Sequence, residues 1–305
     1  MLDRRLVEDV ASRLRTDTGL VEKDWHVVRA IGVLGRLDHG PVRLAFSGGT
    51  SLSKAWGLIK RFSEDIDFKV AMPPAPSAAK GRLQRSLYRE LILGALTAAD
   101  FELAGRPAVS NESRFFSADL AYPTGFGSGR GLRPHLRIEM TFGSPALPPI
   151  ARPIGSLIAA AKGETSEVPA FACVDPVETA AEKLSALAWR VGSRRRGEAG
   201  DDPAVIRHLH DLAAIAPQAR ASPQFGALVR QAAAADAGRG TGGAPADIAG
   251  RFGNMLERLR SDPLWAREYE EFVRQVSFAE PGEVPSFDDA LAATTRLIAG
   301  LAQGS

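Results

Sequence analysis

The hydrophobic pattern changes period twice along the chain. In "RRLVEDVASRLR" (4–15) and "EKDWHVVRAIGVLGRL" (22–37) apolar residues recur every three or four positions, the mark of a helix face. From Val42 the period shortens. "VRLAFSGGT" predicts a strand running into a turn, "SLSKAWGLI" a helix that starts at that turn, and "DIDFKV" a second strand closed by the Pro-rich "MPPAPSAAKG". A long helix, "RLQRSLYRELILGALTAAD", precedes three strand-like runs, "FELAGRPAV", "RFFSADLAY" and "RPHLRIEMTF", with the Gly-rich "TGFGSGRG" as a loop. From Asp175 onward the period is helical again, in "PVETAAEKLSALAWRV", in "PAVIRHLHDLAAIA", and over Phe225–Asp236, Ile248–Arg260 and Ala290–Leu301, with "AGRGTGGAPAD" as a loop. The pattern therefore predicts N-terminal helices over 1–36, an α/β (α+β) core with a mixed sheet over 37–172, and a helical C-terminal domain over 173–305. No repeat at a solenoid period is present.

The alternation inside the strands singles out polar positions. Residues two apart in a strand share a face, so Asp65 and Asp67 project together while Ile66 and Phe68 face the other way. Two adjacent carboxylates repel, and three arrangements relieve this: solvation at a sheet edge, pairing with Lys60, Arg61 or Lys69, or a divalent cation, which hard oxygen ligands suit. In "HLRIEMTF" the same alternation puts His135, Arg137, Glu139 and Thr141 on one face and Leu136, Ile138, Met140 and Phe142 on the other. Alone, Glu139 reads as half of a cross-strand salt bridge. Beside Asp65 and Asp67 it completes a three-carboxylate cluster of the kind that holds Mg²⁺ or Mn²⁺ while an oxygen attacks and pyrophosphate leaves.

The glycine turn between the first two strands adds a second part. Gly48 and Gly49 allow close backbone approach, and their amides with those of Thr50 and Ser51 open a helix, a position that favours phosphate. The plainer reading is a tight turn with Thr50 or Ser51 as N-cap. Lys54, one helical turn on, is grouped with them as an NTP contact. The stretch is not a Walker loop, because no glycine stands directly before Lys54, and "TGFGSGRG" fits no GxGxxG register.

Composition narrows the setting without choosing a partner. The 305 residues are 45% apolar and 24% charged, ordinary globular usage, and the net charge of +2 neither demands nor excludes a polyanion. The single cysteine, Cys173, excludes a disulfide framework and a cysteine zinc site. The charged start lacks an apolar signal core, and no window approaches the ~18 apolar residues of a membrane span. A cytoplasmic monomer with no membrane association is expected.

The order of strand, Gly-Gly-hydroxyl turn, helix, Asp-x-Asp strand and later acidic strand resembles the nucleotidyltransferase superfamily of the DNA polymerase β type. Within it the chain is similar to the AbiEii/AbiGii toxin family, which includes the MenT-type toxins. The matching residues are "EKDW" (22–25), "FSGGTSLSKAW" (46–56), "RFSEDIDF" (61–68), "EKLSALAWR" (182–190) and "RHLHDL" (207–212). The resemblance implies a polymerase β-type core and an NTP-dependent toxin of a toxin–antitoxin or phage-defence pair. It implies transfer of nucleotides to the acceptor end of tRNA, which blocks translation, and a separate winged-helix antitoxin. It further implies that Asp65 and Asp67 bind metal and that Lys183 and Asp211 belong to the active site. His210 stands where the family often carries an aromatic residue. Read from the residues, Lys183 is either a snorkelling surface lysine or a point charge for triphosphate oxygens, and Asp211 holds that lysine, orients the base or the metal water, or pairs with Arg207. His208 and His210, two apart on a helix, diverge and make a poor metal pair.

An RNA acceptor needs basic surface, and 60–62, 80–85, 128–133 and 193–197 offer it; the last, after the Lys183 helix, reads equally as a phosphate grip or a solvated basic loop. Two other outcomes remain open: the same chemistry on a small-molecule or protein hydroxyl, and a non-enzymatic module that keeps the fold.

Overall fold

The computed structural model describes residues 2–127, 133–237, 247–280 and 282–303. The chain forms two compact units, Met1–Asp175 and Pro176–Ser305. The N-terminal helices belong to the first.

The first unit opens with α1 (Arg4–Arg13) and α2 (Thr18–Gly35), whose start is set by Asp17 accepting from the Gly19 amide at 2.7 Å. Next come β1 (Arg43–Ser47), α3 (Gly48–Lys54), β2 (Asp65–Ala71), the 20-residue α4 (Ala78–Thr97), β3 (Glu102–Leu103), β4 (Ala108–Ser110), β5 (Phe115–Ala121) and β6 (Leu136–Thr141). β7 (Ile150–Ile154), α5 (Leu157–Lys162) and β8 (Val168–Cys173) complete it. The eight strands form one sheet in the order β3-β5-β6-β2-β1-β8-β7, with β4 on β5. The β2–β6 and β1–β8 pairs are parallel and the others antiparallel, so the sheet is mixed as predicted.

Strict alternation gives this sheet two unlike faces. Phe46, Phe68, Met140 and Phe116 lie in register across four strands, followed by Ile66, Ile138 and Ala118. They join one buried core with Val27, Val28, Ile31 and Leu34 of α2 and Ile92 and Leu96 of α4. The opposite face carries the polar residues of the same strands, and burying the first face is what presents the second.

The boundaries moved where periodicity was weak. α3 begins at Gly48, three residues before the predicted start, and ends at Lys54. The run 101–109 is two short strands, β3 and β4, instead of one. β7, α5 and β8 were not predicted. β7 is an edge strand that contains Pro153, and β8 buries Val168, Phe171 and Cys173 at irregular intervals, so neither shows a period of two. The loops read from "TGFGSGRG" and "AGRGTGGAPAD" lie largely outside the described residues, as does most of the basic segment 128–133.

The second unit is helical: α6 (Pro176–Ser193), a 3-10 turn Pro203–Ile206, α7 (Arg207–Ala221), α8 (Phe225–Ala235), α9 (Ile248–Ser261), α10 (Leu264–Val276) and α11 (Phe287–Gln303). α6 packs on α7, α8 and α9, and α7 on α11. Leu184, Leu187, Leu209, Leu212, Ile215 and Met255 are fully buried in it. α10 escaped prediction because its buried side is narrow, chiefly Trp265 and Tyr269.

Candidate active site

The register of the sheet assembles a polar row on its open face. Asp67 of β2 stands opposite Glu139 of the parallel β6, with Ser47 of β1 and Ser117 of β5 extending the row on either side. The neighbouring row is Asp65, Arg137 and Asp119. Arg137 donates two hydrogen bonds to Asp119, at 2.7 and 2.9 Å, and holds that carboxyl below the usual carboxylate range. Asp65, Asp67 and Glu139 thus share a face, as their spacing required, and all three are half-buried.

The glycine turn is built against this row. Gly48 has φ +72°, and a Cβ added there would fall 1.9 Å from Oδ2 of Asp67 and 2.9 Å from its Cβ. Only glycine permits both the backbone conformation and the contact. Thr50 donates its hydroxyl to the backbone carbonyl of Asp65, tying the turn to the start of β2. Ser51 is buried next to Cys173, whose thiol is pushed up to about 12 chiefly by burial. The hydroxyls of Thr50 and Ser51, grouped above with the phosphate cradle, are therefore turned into the fold. Lys54 likewise forms a buried ion pair with Asp24, its side chain 9% exposed, so the charge expected for phosphate is held by α2.

The Asp24–Lys54 pair belongs to a bracket that periodicity could not reveal. Consecutive polar residues of α2 are all buried and each reaches a different segment. Glu22 accepts from Thr124 Oγ1 at 2.5 Å and from the amides of Gly125 and Phe126 at 2.8 and 3.3 Å. Lys23 pairs with Glu64 and donates to the carbonyl of Arg133 at 2.8 Å, and burial pulls its ammonium below its ordinary value. Asp24 also accepts from the Leu157 amide at 2.7 Å. Glu64, held by Lys23, accepts from the amide of Arg133 at 2.9 Å, and the Arg133 guanidinium reaches Oδ1 of Asp65 at 3.1 Å. Neither Glu64 nor Arg133 was singled out in the sequence. The signal available was the charged "EKDW" on an otherwise apolar helix, a sequence that only buried partners make affordable.

The donor set suits a hard divalent cation in kind: three carboxylates on one open face. As they stand, no three His, Cys, Asp or Glu side chains among the described residues are gathered closely enough to hold a metal ion. The Arg133 guanidinium lies on one of the expected ligands.

In the second unit Lys183 of α6 and Asp211 of α7 form a salt bridge of 2.8 Å, with side chains 9% and 0% exposed. Lys183 is therefore no snorkelling surface residue, and Asp211 does hold it. His210 lies 3.2 Å from Asp211 and packs beside the rings of Tyr269 and Phe272. The ring of His208 is buried with neither nitrogen hydrogen-bonded, and burial holds it well below the ordinary histidine range. In the basic run 193–197, Arg194 and Arg196 are bound to Glu268, Asp201 and Asp262 and stack over Trp265 at 4.8 and 4.4 Å. That cluster is a neutralised structural clamp; Arg195 is its exposed member.

A mixed sheet with an acid row on one face and a glycine turn packed on that row is the core of a nucleotidyltransferase-like α/β protein. The fold is similar to that of MenT4, a nucleotidyltransferase toxin of Mycobacterium tuberculosis H37Rv, with a TM-score of 0.54 and 20% identity over 97% of this chain and 99% of that one. A family model described as "Nucleotidyl transferase AbiEii toxin, Type IV TA system" matches residues 33–293. The chain belongs to the AbiEii nucleotidyltransferase toxin family. It is accordingly an NTP-dependent nucleotidyltransferase and the toxin of a toxin–antitoxin pair. No curated protein matches the chain. No helix among the described residues is long and apolar enough to cross a membrane.

Proposed function

We propose that the protein transfers a nucleoside monophosphate from NTP to the 3′-hydroxyl of tRNA in a Mg²⁺-dependent reaction and so blocks translation. The observation that carries this reading is the pairing of Asp67 with Glu139 in register on the open face, with Gly48 seated against Asp67. Asp65, Asp67 and Glu139 are the residues that would hold Mg²⁺, or Mn²⁺ in its place. When bound, such an ion neutralises charge on the triphosphate. Gathering the three requires Arg133 to leave Asp65. The backbone amides of Gly48 and Gly49, in the turn seated against Asp67, cradle phosphate, while the Thr50 hydroxyl ties that turn to the Asp65 carbonyl. Glu139 takes the proton of the acceptor hydroxyl as its oxygen bonds the α-phosphorus. The bond from that phosphorus to the bridging oxygen breaks, and pyrophosphate leaves. Lys183, held by Asp211, is the second unit's contribution of positive charge, an assignment that rests on the family.

Incubation with total tRNA and each labelled NTP in turn tests this. Label at the tRNA 3′ end, dependent on Mg²⁺ and absent with Asp67→Asn, is expected. Label on protein or on a small molecule, with none on RNA, overturns the tRNA assignment and leaves the enzyme class standing.

A further inference from the structure

The first unit contains a cavity of about 620 Å³ that none of the chemistry above uses. It lies where α2 meets the segment that follows β5. Three rings line it, those of Trp25, His26 and Phe126, together with the guanidinium groups of Arg4 and Arg29. The rings and cations are already mutually arranged. Arg4 lies 5.1 Å from the centre of Phe126, Arg29 lies 5.8 Å from that of Trp25, and Trp25 meets His26 edge-on at 4.9 Å. His26 is 3% exposed, and its Nδ1 is buried with no hydrogen-bond partner. Burial, with Arg29 nearby, holds that ring neutral, its pKa lowered to about 4.

Planar rings and guanidinium planes around one space suit a planar heterocycle, and the volume suits a nucleotide. Of the two acids on the lining, Asp100 is paired with Arg29 at 3.1 Å, and Glu22 keeps its charge while its oxygens are held on the wall by Thr124, Gly125 and Phe126. Arg4 meets Glu8 in an exposed pair at 3.0 Å, which leaves most of its donors available.

The cavity lies toward the same end of the sheet as the start of the acid row. β5 ends beside the start of β6, and β6 runs parallel to β2, so the segment after β5 lies at the sheet end where β2 begins with Asp65. Glu22 holds the cavity wall at 124–126, while its neighbour Lys23 holds Glu64, the residue before Asp65. One turn of α2 thus positions both places.

We infer that this cavity seats an unstacked nucleotide of the acceptor RNA, its base between Trp25 and Phe126 and its phosphate toward Arg4 and Arg29. This rests on RNA being the acceptor. The same nucleotide chemistry exists in free mononucleotides, so the test includes both.

The full chain, without NTP, is titrated with a short single-stranded RNA bearing a free 3′-hydroxyl, with each nucleoside 5′-monophosphate, and with inorganic phosphate. Tryptophan fluorescence is followed in the wild type, Trp25→Leu, Phe126→Leu and Arg4→Ala. Saturable quenching by RNA, most of it lost in Trp25→Leu, is expected, with RNA affinity roughly tenfold weaker in Phe126→Leu and Arg4→Ala at unchanged Tm. Mononucleotides that bind as tightly as RNA overturn the assignment to RNA. Unchanged affinity in folded Phe126→Leu and Arg4→Ala overturns the site. NTP transfer assays on the same proteins separate the two readings. Transfer to tRNA with an unchanged KM for RNA in Arg4→Ala sinks the cavity and keeps the reaction. Pocket-dependent RNA binding by a wild type that labels no RNA does the reverse.

Discussion

The two places that carry the candidate chemistry treat charge in opposite ways. The acids of the first unit, Asp65, Asp67 and Glu139, stand half-buried on the open face of a sheet whose other face is sealed. The Lys183–Asp211 pair of the second unit lies inside a helical core, with Asp211 0% exposed. A half-exposed row tolerates loss of a carboxylate, because water reaches both the site and the partners it leaves. A buried pair does not, because the survivor is left charged and desolvated. The difference leads to an expectation: under the proposed function, activity and stability are separable at the first place and fused at the second.

The sharpest way to break this contrast is Asp67→Asn. Transfer activity is expected to fall by about three to four orders of magnitude while stability stays within roughly 0.5 kcal/mol, as read by labelled-NTP incorporation and denaturant titration. Comparable losses of activity and stability would mean that the acid row is structural. Next comes Asp211→Ala, expected to cost about 3–4 kcal/mol of stability by removing the buried carboxylate that faces Lys183, with much of that loss recovered in Lys183→Met/Asp211→Leu. A stable Asp211→Ala protein removes the distinction. Gly48→Ala sits between the two, since it forces a positive φ and a clash with Asp67; about 2 kcal/mol and a marked activity loss are expected, with Asp67→Gly partly restoring stability to Gly48→Ala.

The smallest effect concerns acid. His26 takes up a proton in the unfolded chain below its ordinary 6.5 but in the folded chain only below about 4. The unfolded state therefore binds more protons between these values, and stability falls as pH drops from about 6.5 to about 4. The expected loss is of order 2 kcal/mol, and His26→Phe should flatten that part of the curve, as followed by urea midpoints across the range. An unchanged curve removes His26 from the account.

Legibility in the sequence followed local period. The alternation of "DIDFKV" and "HLRIEMTF" was enough to assign Asp65, Asp67 and Glu139 to polar faces, and the register places Asp67 beside Glu139. The same reasoning is blind to remote partners. Thr50 and Lys54 read as phosphate contacts, and nothing local revealed Asp65's carbonyl or Asp24 as the partners they have here. Arg194 and Arg196 looked like an RNA grip because Glu268 lies more than 70 positions away. β7 and β8 were invisible because neither alternates: β7 is an edge strand containing Pro153, and β8 buries Val168, Phe171 and Cys173 at irregular intervals.

By itself the sequence determined which residues could share a face, where the chain turns from mixed to helical, and which family it resembles. Those depend on backbone geometry over a few residues, and the periods of strand and helix are written locally. Only the tertiary structure decided which charges are spent on the fold. Burying an ionic group demands a partner, and the partner for Lys23, Lys54, Lys183 or Arg194 is set by packing between segments distant in the chain. It also brought Trp25, His26 and Phe126 around one cavity, a grouping no spacing along the chain foretells.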